Sequence, residues 1–218
     1  PTGLTLAAQL AQFPDINTMI IDQKSGPLKV GQADGIACRT IEMFEAFDFS
    51  EKVLKEAYWV NETMFWAPST ENANVIARTG RIQDVADDLS EMPHVILSQA
   101  RIHDFYLDIM LQSPNRLKPK YNRRFCELHF DHNQNYPVNV TLDHQGSSEI
   151  LKAKYVIGCD GARSGVRKSI GLELVGETAN KSWGVMDVLV DTNFPDIRFK
   201  SVIRSDREGN ILIIPREG

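Results

Sequence analysis

The sequence predicts a mixed α/β fold in which strand–helix units are interleaved with antiparallel sheet. Two short apolar runs, at residues 18–21 and 154–157, are typical of buried parallel strands and are followed by glycine-containing turns. Longer stretches, above all residues 58–81, alternate apolar and polar side chains, as antiparallel strands with one solvated face do. We therefore expect a parallel α/β layer beside an antiparallel α+β layer.

The individual elements follow from local patterns along the chain. Leu4, Ala7, Ala8 and Leu10 recur at helical spacing until Pro14 ends the run, which predicts a helix at 4–13. The same criteria predict further helices at 40–49, 100–111 and 166–170, and strands at 95–97, 125–130, 138–142, 183–190 and within 201–214.

Composition restricts the class of protein. The 218 residues carry a formal net charge of −5 without any run of lysine or arginine, which argues against a nucleic-acid partner. No stretch reaches the roughly 20 apolar residues that span a bilayer, so no membrane partner is expected. Cys38, Cys126 and Cys159 show no CxxC spacing, which disfavours a disulfide scaffold or metal site and favours a cytoplasmic protein.

A helix opened by glycine and followed by a strand ending in an acid indicates the second half of a Rossmann-like βαβ unit. Asp22 lies 19 residues after Gly3, close to the spacing of roughly 20 expected for a ribose-binding carboxylate. An ordinary αβ pair would give the same local pattern, so both interpretations stay open. We expect the chain to be truncated at both ends, since Pro1 leads directly into the helix and the last strand pattern stops at Gly218.

A second signal is Gly-Cys-Asp-Gly at residues 158–161, between an apolar run and a helical one. Glycines on both sides of Asp160 allow the backbone to approach a bulky ligand, and Ser164 is placed as a helix N-cap. A capped turn with a solvated aspartate is the alternative.

Seven motifs spread over the chain carry a more specific signal. They are Pro1-Thr-Gly-Leu4, Gly31-Gln-Ala-Asp-Gly35 with Arg39-Thr40, Leu97-Ser-Gln-Ala-Arg101, Tyr155-Val-Ile-Gly-Cys-Asp-Gly161, Trp183-Gly-Val-Met-Asp187, Asn193-Phe-Pro-Asp196 and Ile213-Ile-Pro-Arg-Glu217. In this order they resemble the aromatic-ring hydroxylases, flavoprotein monooxygenases that include 3-hydroxybenzoate 4-monooxygenase and phenol 2-monooxygenase.

The resemblance implies that the cofactor is FAD. Gly3 matches the last glycine of the phosphate loop and Asp22 matches the adenosine ribose ligand, while Gln23 and Lys24 stand where many relatives carry arginine. The remaining cofactor contacts that the resemblance implies are Gln99 near the ribityl and phosphate region, Asp160 and Gly161 in the DG motif, and Arg39 near the phosphates. For Arg39 the alternative is a helix-start arginine paired with Glu42 or Glu45.

The resemblance also implies the chemistry. NAD(P)H, more often NADPH, would reduce FAD, and O₂ would give a C4a-hydroperoxyflavin that transfers its distal oxygen to the ring. Asp34 matches the residue that contacts the substrate hydroxyl, with a solvated loop aspartate as the alternative, and Arg216 matches an arginine near the flavin. The tyrosine that pairs with the aspartate is expected beyond Gly218.

Two residues point to the substrate. His94 and Lys200 match positions that hold the benzoate carboxylate in 3-hydroxybenzoate 4-monooxygenases, and a buried carboxylate needs such a cation and donors. A core histidine beside Pro93 and a surface lysine on an edge strand are the alternatives. The resemblance therefore favours conversion of 3-hydroxybenzoate to 3,4-dihydroxybenzoate over phenol 2-monooxygenase activity or an inactive FAD-binding module. The other histidines, His103, His129, His132 and His144, are expected at the surface.

The domain organisation that follows is discontinuous. Residues 1–57 and 93–175 are predicted to form the FAD-binding domain, and residues 58–92 and 176–218 part of a substrate-binding β-sheet domain. The expected partners are a small aromatic substrate, O₂ and, by resemblance, a second copy in a homodimer.

Overall fold

The structure is a computed structural model that describes residues 1–31, 33–72, 74–207 and 209–216. Gln32 and Glu217, members of two predicted motifs, lie outside the described residues. The helices are α1 (Thr2–Leu10), α2 (Cys38–Glu45), α3 (Ser50–Glu56), α4 (Gln99–Gln112) and α5 (Gly165–Ser169). The strands are β1 (Gly35–Ile36), β2 (Tyr58–Val60), β3 (Glu62–Pro68), β4 (Ile76–Gln83), β5 (His94–Ile96), β6 (Arg123–Phe130), β7 (Val138–His144), β8 (Ser147–Ala153), β9 (Lys200–Ile203) and β10 (Ile211–Ile213).

The chain divides into two compact units. Unit 1 comprises residues 1–29 and 103–184, and unit 2 comprises residues 30–102 and 185–218. The division of function between residues 1–57 with 93–175 and residues 58–92 with 176–218 stays a prediction.

Unit 1 is built on the antiparallel sheet β6-β7-β8. Side chains of β7 alternate between the core and the opposite face, so Val138, Val140 and Leu142 are buried together with Leu128 of β6. β7 and β8 are joined at Gln145 and Gly146, which both have positive φ, the combination that a two-residue type I′ hairpin requires. The sheet therefore has a fixed register, which positions α5 against β6.

Unit 2 contains two small sheets and a helical pair. The sheet β1-β5-β2 is antiparallel, while the sheet β10-β9-β3-β4 is antiparallel except for the parallel pair β9 and β3. Ile41 and Phe44 of α2 are buried at helical spacing, and the ring of Phe44 stacks on Phe49 at a centroid distance of 4.6 Å. The interior strands β5 and β9 are the ones that carry predicted site residues.

The predicted mixed α/β fold class with antiparallel sheets is confirmed, but the strands predicted at 18–21, 154–157 and 183–190 do not form. A parallel strand exists only with hydrogen-bonded neighbours at its edges. Among the described residues, Ile21 makes one isolated parallel bridge to Lys120 and no strand pairs with 154–157. Tyr155 and Ile157 consequently remain 86% and 61% exposed. The apolar pattern predicted segments suited to strands, but it could not show whether a neighbouring strand was present to pair with them.

In the described part of the chain, no helix combines the length and apolar character needed to cross a membrane.

Candidate functional site

The two residues predicted for catalysis, Asp34 and Arg216, lie together in unit 2. Asp34 directly precedes β1, and its carbonyl oxygen accepts a hydrogen bond of 2.9 Å from the N–H of Leu97, just after β5. Nη1 of Arg216, which follows β10, lies 2.9 Å from Oδ2 of Asp34 and 3.3 Å from Oδ1 of Asp187. The segments that precede β1 and follow β10 thus hold a carboxylate beside a guanidinium.

One oxygen of Asp34 has an incomplete environment. Oδ1 is buried, and the described residues give it no hydrogen-bond partner. Buried acceptors are nearly always hydrogen-bonded, because leaving one unsatisfied costs about 1–3 kcal/mol. A ligand that brought an O–H or N–H to this position would remove that cost.

His94 and Lys200, predicted to hold a carboxylate, also lie together and share one partner, Asp84. Nζ of Lys200 donates to Oδ1 of Asp84 at 2.9 Å, and Nδ1 of His94 lies 2.5 Å from Oδ2. The hydroxyl of Thr63 donates to Oδ1 at 2.9 Å. The side chain of Asp84 is only 12% exposed, so the three groups form a largely buried cluster.

Asp84 is held in its charged form by this environment. Burial acts to raise the pKa of Asp84, but hydrogen bonds from Lys200, His94 and Thr63 outweigh it and hold the pKa below its usual value. A charged Asp84 orients the histidine ring, since Nδ1 faces the carboxylate. The second ring nitrogen then faces Gly35, where an added Cβ would lie 3.5 Å from Nε2. Because Gly35 follows Asp34, the Asp34–Arg216 ion pair and the cluster around Asp84 lie in one region of unit 2.

The surroundings of His94 and Lys200 bear on the alternatives stated for them, while their role in binding a carboxylate stays a prediction. Lys200 begins β9, which lies between β10 and β3, so it is not a surface charge on an edge strand. Its side chain is 24% exposed and that of His94 is 20% exposed. His94 is hydrogen-bonded and partly buried, yet it keeps one ring nitrogen directed at Gly35.

Asp84 was missed by sequence reasoning. It follows the end of β4 in a stretch that also contains Asp87 and Asp88, and a lone aspartate after a strand matches no motif. A largely buried lysine needs a compensating anion, and that requirement was the one signal that could have prompted a search for it.

Gln99 and Arg39 have different settings within unit 2. Gln99 begins α4, and Gly31 lies so close to it that an added Cβ would be 2.5 Å from Cβ of Gln99. The backbone at Gly31 therefore packs closely against the first residue of this 14-residue helix. Arg39 has a 90% exposed side chain and an ion pair of 3.0 Å with Glu42, one of the two pairings open to it.

In unit 1, Gly3 lies beside the Gly-Cys-Asp-Gly loop. A Cβ on Gly3 would be 3.3 Å from Cβ of Cys159, which is closer than an ordinary van der Waals contact. The start of α1 and this loop are therefore packed directly against each other. Asp22 is exposed, and its Oδ1 accepts a hydrogen bond of 2.8 Å from the N–H of Lys24. Gln23 is exposed next to it. The structure thus brings together Gly3 and the Gly-Cys-Asp-Gly loop, two of the segments predicted to bind the nucleotide.

Asp160 caps the helix that follows the loop. Its carboxylate accepts from the hydroxyl of Ser164 at 2.5 Å and from the N–H of Val166 at 3.1 Å, while Ser164 caps the N–H of Arg167 at 3.0 Å. Burial acts to raise the pKa of Asp160, but these hydrogen bonds lower it overall. Gly161 has a φ of +82°, a left-handed conformation that suits glycine. The predicted N-cap at Ser164 is confirmed.

His103 corrects the expectation that it lies at the surface. Its Nε2 is buried and has no hydrogen-bond partner among the described residues. Burial lowers the pKa of His103 to about 4, because an imidazolium loses its hydration there. His103 lies in the second turn of α4, a position that no motif marks.

Comparison with known proteins gives a consistent result. The family model described as "FAD binding domain" matches residues 1–218. The chain is 59% identical to a 3-hydroxybenzoate 4-monooxygenase of Comamonas testosteroni, covering 100% of this chain and 35% of that protein. It is 41% identical to an FAD-dependent monooxygenase of Aspergillus terreus, covering 99% of this chain and 36% of that one. The chain thus spans about a third of the length of these curated relatives.

Among solved structures, the p-nitrophenol 4-monooxygenase of Pseudomonas putida superposes with a TM-score of 0.69 at 21% identity. The superposition covers 81% of this chain and 42% of that one. At this identity the likeness concerns the fold.

Proposed function

The chain belongs to the FAD-binding domain family of flavoprotein monooxygenases, and on that premise we propose that it supplies the FAD site and part of the substrate site of an aromatic hydroxylase. The proposed reaction is conversion of 3-hydroxybenzoate to 3,4-dihydroxybenzoate with NAD(P)H and O₂. The observation that carries the substrate assignment is the cluster in which His94 and Lys200 meet beside the Asp34 region.

The described residues fit FAD. Gly161, at positive φ and with open space beside its Cα, leaves the backbone accessible where a dinucleotide must approach it closely, and Gly3 at the start of α1 lies next to the same loop. Asp22 has room for ribose hydroxyls beside its contact with Lys24. The residues proposed to hold FAD are Gly3, Asp22, Gln23, Arg39, Gln99, Asp160 and Gly161. When bound and reduced, FAD supplies the activation of O₂ that ring hydroxylation requires.

Asp34 prepares the aromatic ring. Oδ1, which has no partner among the described residues, accepts a hydrogen bond from the substrate hydroxyl and draws its proton away from the phenolic oxygen. Loss of that proton makes the ring more electron-rich and a better nucleophile. Arg216, whose Nη1 lies 2.9 Å from Oδ2 of Asp34, keeps the carboxylate oriented.

His94 and Lys200 select the acid. Asp84 engages one of the three N–H groups that a lysine ammonium carries and one of the two ring nitrogens of the histidine. The other N–H groups of Lys200 and the second ring nitrogen of His94 are left for a substrate carboxylate, which would otherwise lose its hydration at a large cost. Phenol lacks the carboxylate, so its binding does not depend on these two side chains.

Steady-state oxygenation with 3-hydroxybenzoate and with phenol tests the proposal, in the FAD-loaded protein and in a Lys200→Met variant. We expect a preference for 3-hydroxybenzoate that falls by about 10- to 100-fold in the variant, the effect of losing a hydrogen bond to a charged group. Lys52→Met, at an exposed position of α3, is the matched control.

Two outcomes would contradict the proposal. Efficient turnover of phenol, with 3-hydroxybenzoate unaffected by Lys200→Met, would favour a phenol 2-monooxygenase. A protein without a flavin spectrum, and without NAD(P)H oxidation stimulated by either substrate, would favour an inactive module.

A further inference from the structure

Asp84 is a largely buried carboxylate placed between Lys200 and His94, the two groups proposed to bind the substrate carboxylate, and the proposed mechanism leaves it without a role. We propose that Asp84 is a positioning residue that makes the site selective for carboxylate-bearing substrates. It does so by holding Lys200 and His94 in one fixed arrangement. This inference rests on the proposed function of Lys200 and His94.

The two carboxylate oxygens of Asp84 contact different groups. Oδ1 accepts from Lys200 and from Thr63, both at 2.9 Å, and Oδ2 engages His94 at 2.5 Å. Each group meets Asp84 through one nitrogen, so Lys200 keeps two further N–H groups and His94 keeps its second ring nitrogen. Asp84 therefore orients both groups and leaves these atoms for a substrate carboxylate.

Asp84 itself is anchored by the strands around it. Its backbone N–H donates to the carbonyl of Asn61 at 2.9 Å, and Thr63 lies in β3, paired in register with Lys200 of β9. The carboxylate thus sits at the end of β4 with contacts to β3, β5 and β9. A lysine side chain has four flexible torsions, and a fixed anchor spares the substrate the cost of ordering it.

Charge supports the same role. Without Asp84, the ammonium group of Lys200 would lie in a largely buried site without this compensating anion, which favours its movement away from His94. With Asp84, the cluster holds its donors at the site before a ligand arrives. Preorganisation of this kind raises affinity without a direct contact to the ligand.

The test is Asp84→Asn in the FAD-loaded protein, assayed with 3-hydroxybenzoate and with phenol. We expect KM for 3-hydroxybenzoate to rise by about 10- to 100-fold, as for loss of a charged hydrogen-bond anchor. We expect kcat, and both constants for phenol, to change by less than about threefold, since the reacting ring is untouched. A generally misfolded variant would lose kcat and phenol turnover as well.

Two further variants sharpen the test. Asp87→Asn makes the same change of charge three residues along the chain, at an exposed position, and should behave like the parent protein. In a Lys200→Met background, Asp84→Asn should have a much smaller effect on KM, because one of the two groups it positions is already gone.

The outcomes separate the two proposals. An unchanged or lowered KM for 3-hydroxybenzoate in Asp84→Asn overturns the positioning role, a lowered KM meaning that Asp84 competes with the substrate. Failure of the parent protein to bind or oxidise 3-hydroxybenzoate overturns the proposed function and this inference with it.

Discussion

Asp34 combines an ion pair through Oδ2 with a buried Oδ1 that has no hydrogen-bond partner among the described residues, so the two oxygens of its carboxylate have different roles. We predict that Asp34→Asn lowers kcat for the phenolic substrate by about 10²- to 10⁴-fold, the range for loss of a positioned acid–base group. Steady-state oxygenation measures this. Asp187→Asn is the control, since Asp187 also contacts Arg216 but is 75% exposed. Comparable losses in both variants would mean that Asp34 acts only as a partner of Arg216.

His103 provides a pH-dependent contribution to stability. Its pKa is about 4 in the folded protein because of burial, whereas an unperturbed histidine titrates near 6.5. The unfolded chain therefore binds the proton first, and the free energy of unfolding falls as pH drops from about 6.5 to about 4. Stability is fully present above this window.

Urea unfolding of His103→Leu at several pH values tests this contribution. We expect a weaker pH dependence between about pH 6.5 and pH 4 than in the parent protein, since the buried titrating group is gone. His132→Leu removes an exposed histidine and should leave the dependence intact. An identical slope in all three proteins would contradict the assignment.

At the scale of elements, two glycines show how a turn differs from a binding loop. Gly161 and Gly146 have φ values of +82° and +87°, and an added Cβ would meet nothing within 4 Å at either position. Substitution by alanine should therefore cost about 1–2 kcal/mol at each, from backbone strain alone. Only Gly161→Ala should also reduce the FAD content, measured by absorbance, because Gly146 lies in the β7–β8 turn. Equal FAD contents would count against the DG loop as a cofactor contact.

The strand β9 is held by a buried ion pair just before its start. Asp196 is 2% exposed and accepts hydrogen bonds from Nε of Arg78 at 2.8 Å and from the indole of Trp66 at 2.9 Å. We predict that Asp196→Ala lowers the free energy of unfolding by about 3 kcal/mol, near the lower end for a broken buried pair because Arg78 is half exposed.

An exposed pair on the same sheet is the comparison. Arg81 and Glu62 join β4 and β3, with side chains 59% and 27% exposed, and Glu62→Gln should cost less than about 1 kcal/mol. Urea denaturation of both variants gives the two values. A similar cost at both sites would mean that burial does not set the strength of these pairs.

At the scale of the whole chain, residues 172–193 have no regular secondary structure, and most of their side chains are exposed. A protease needs an extended backbone free of strand pairing. Limited trypsin digestion should therefore cleave after Lys181 well before it cleaves after Lys152, whose backbone is paired between β8 and β7. Mass spectrometry of the fragments shows the order, and earlier cleavage at Lys152 would contradict it.

The sequence was sufficient for the fold class, the antiparallel strands and the grouping of several predicted positions. Alternation predicted β3 and β4, and the family motifs pointed to Asp34, His94 and Lys200, which lie in one region of unit 2. Sequence patterns failed where a feature depends on a distant partner. The run at 154–157 is apolar enough for a strand but lacks a paired neighbour among the described residues, and Asp84 gains significance only from groups 10 and 116 residues away.

His94 and Lys200 are each the first residue of a strand, and both strands are interior members of their sheets. Loops can be exchanged, lengthened or shortened with little effect on a scaffold, but the ends of interior strands cannot. Under the proposed function, the substrate range of this protein would therefore resist the loop exchanges by which many enzymes diversify. It would change through single substitutions at these strand ends, and an engineer who wants a neutral phenol accepted should begin there.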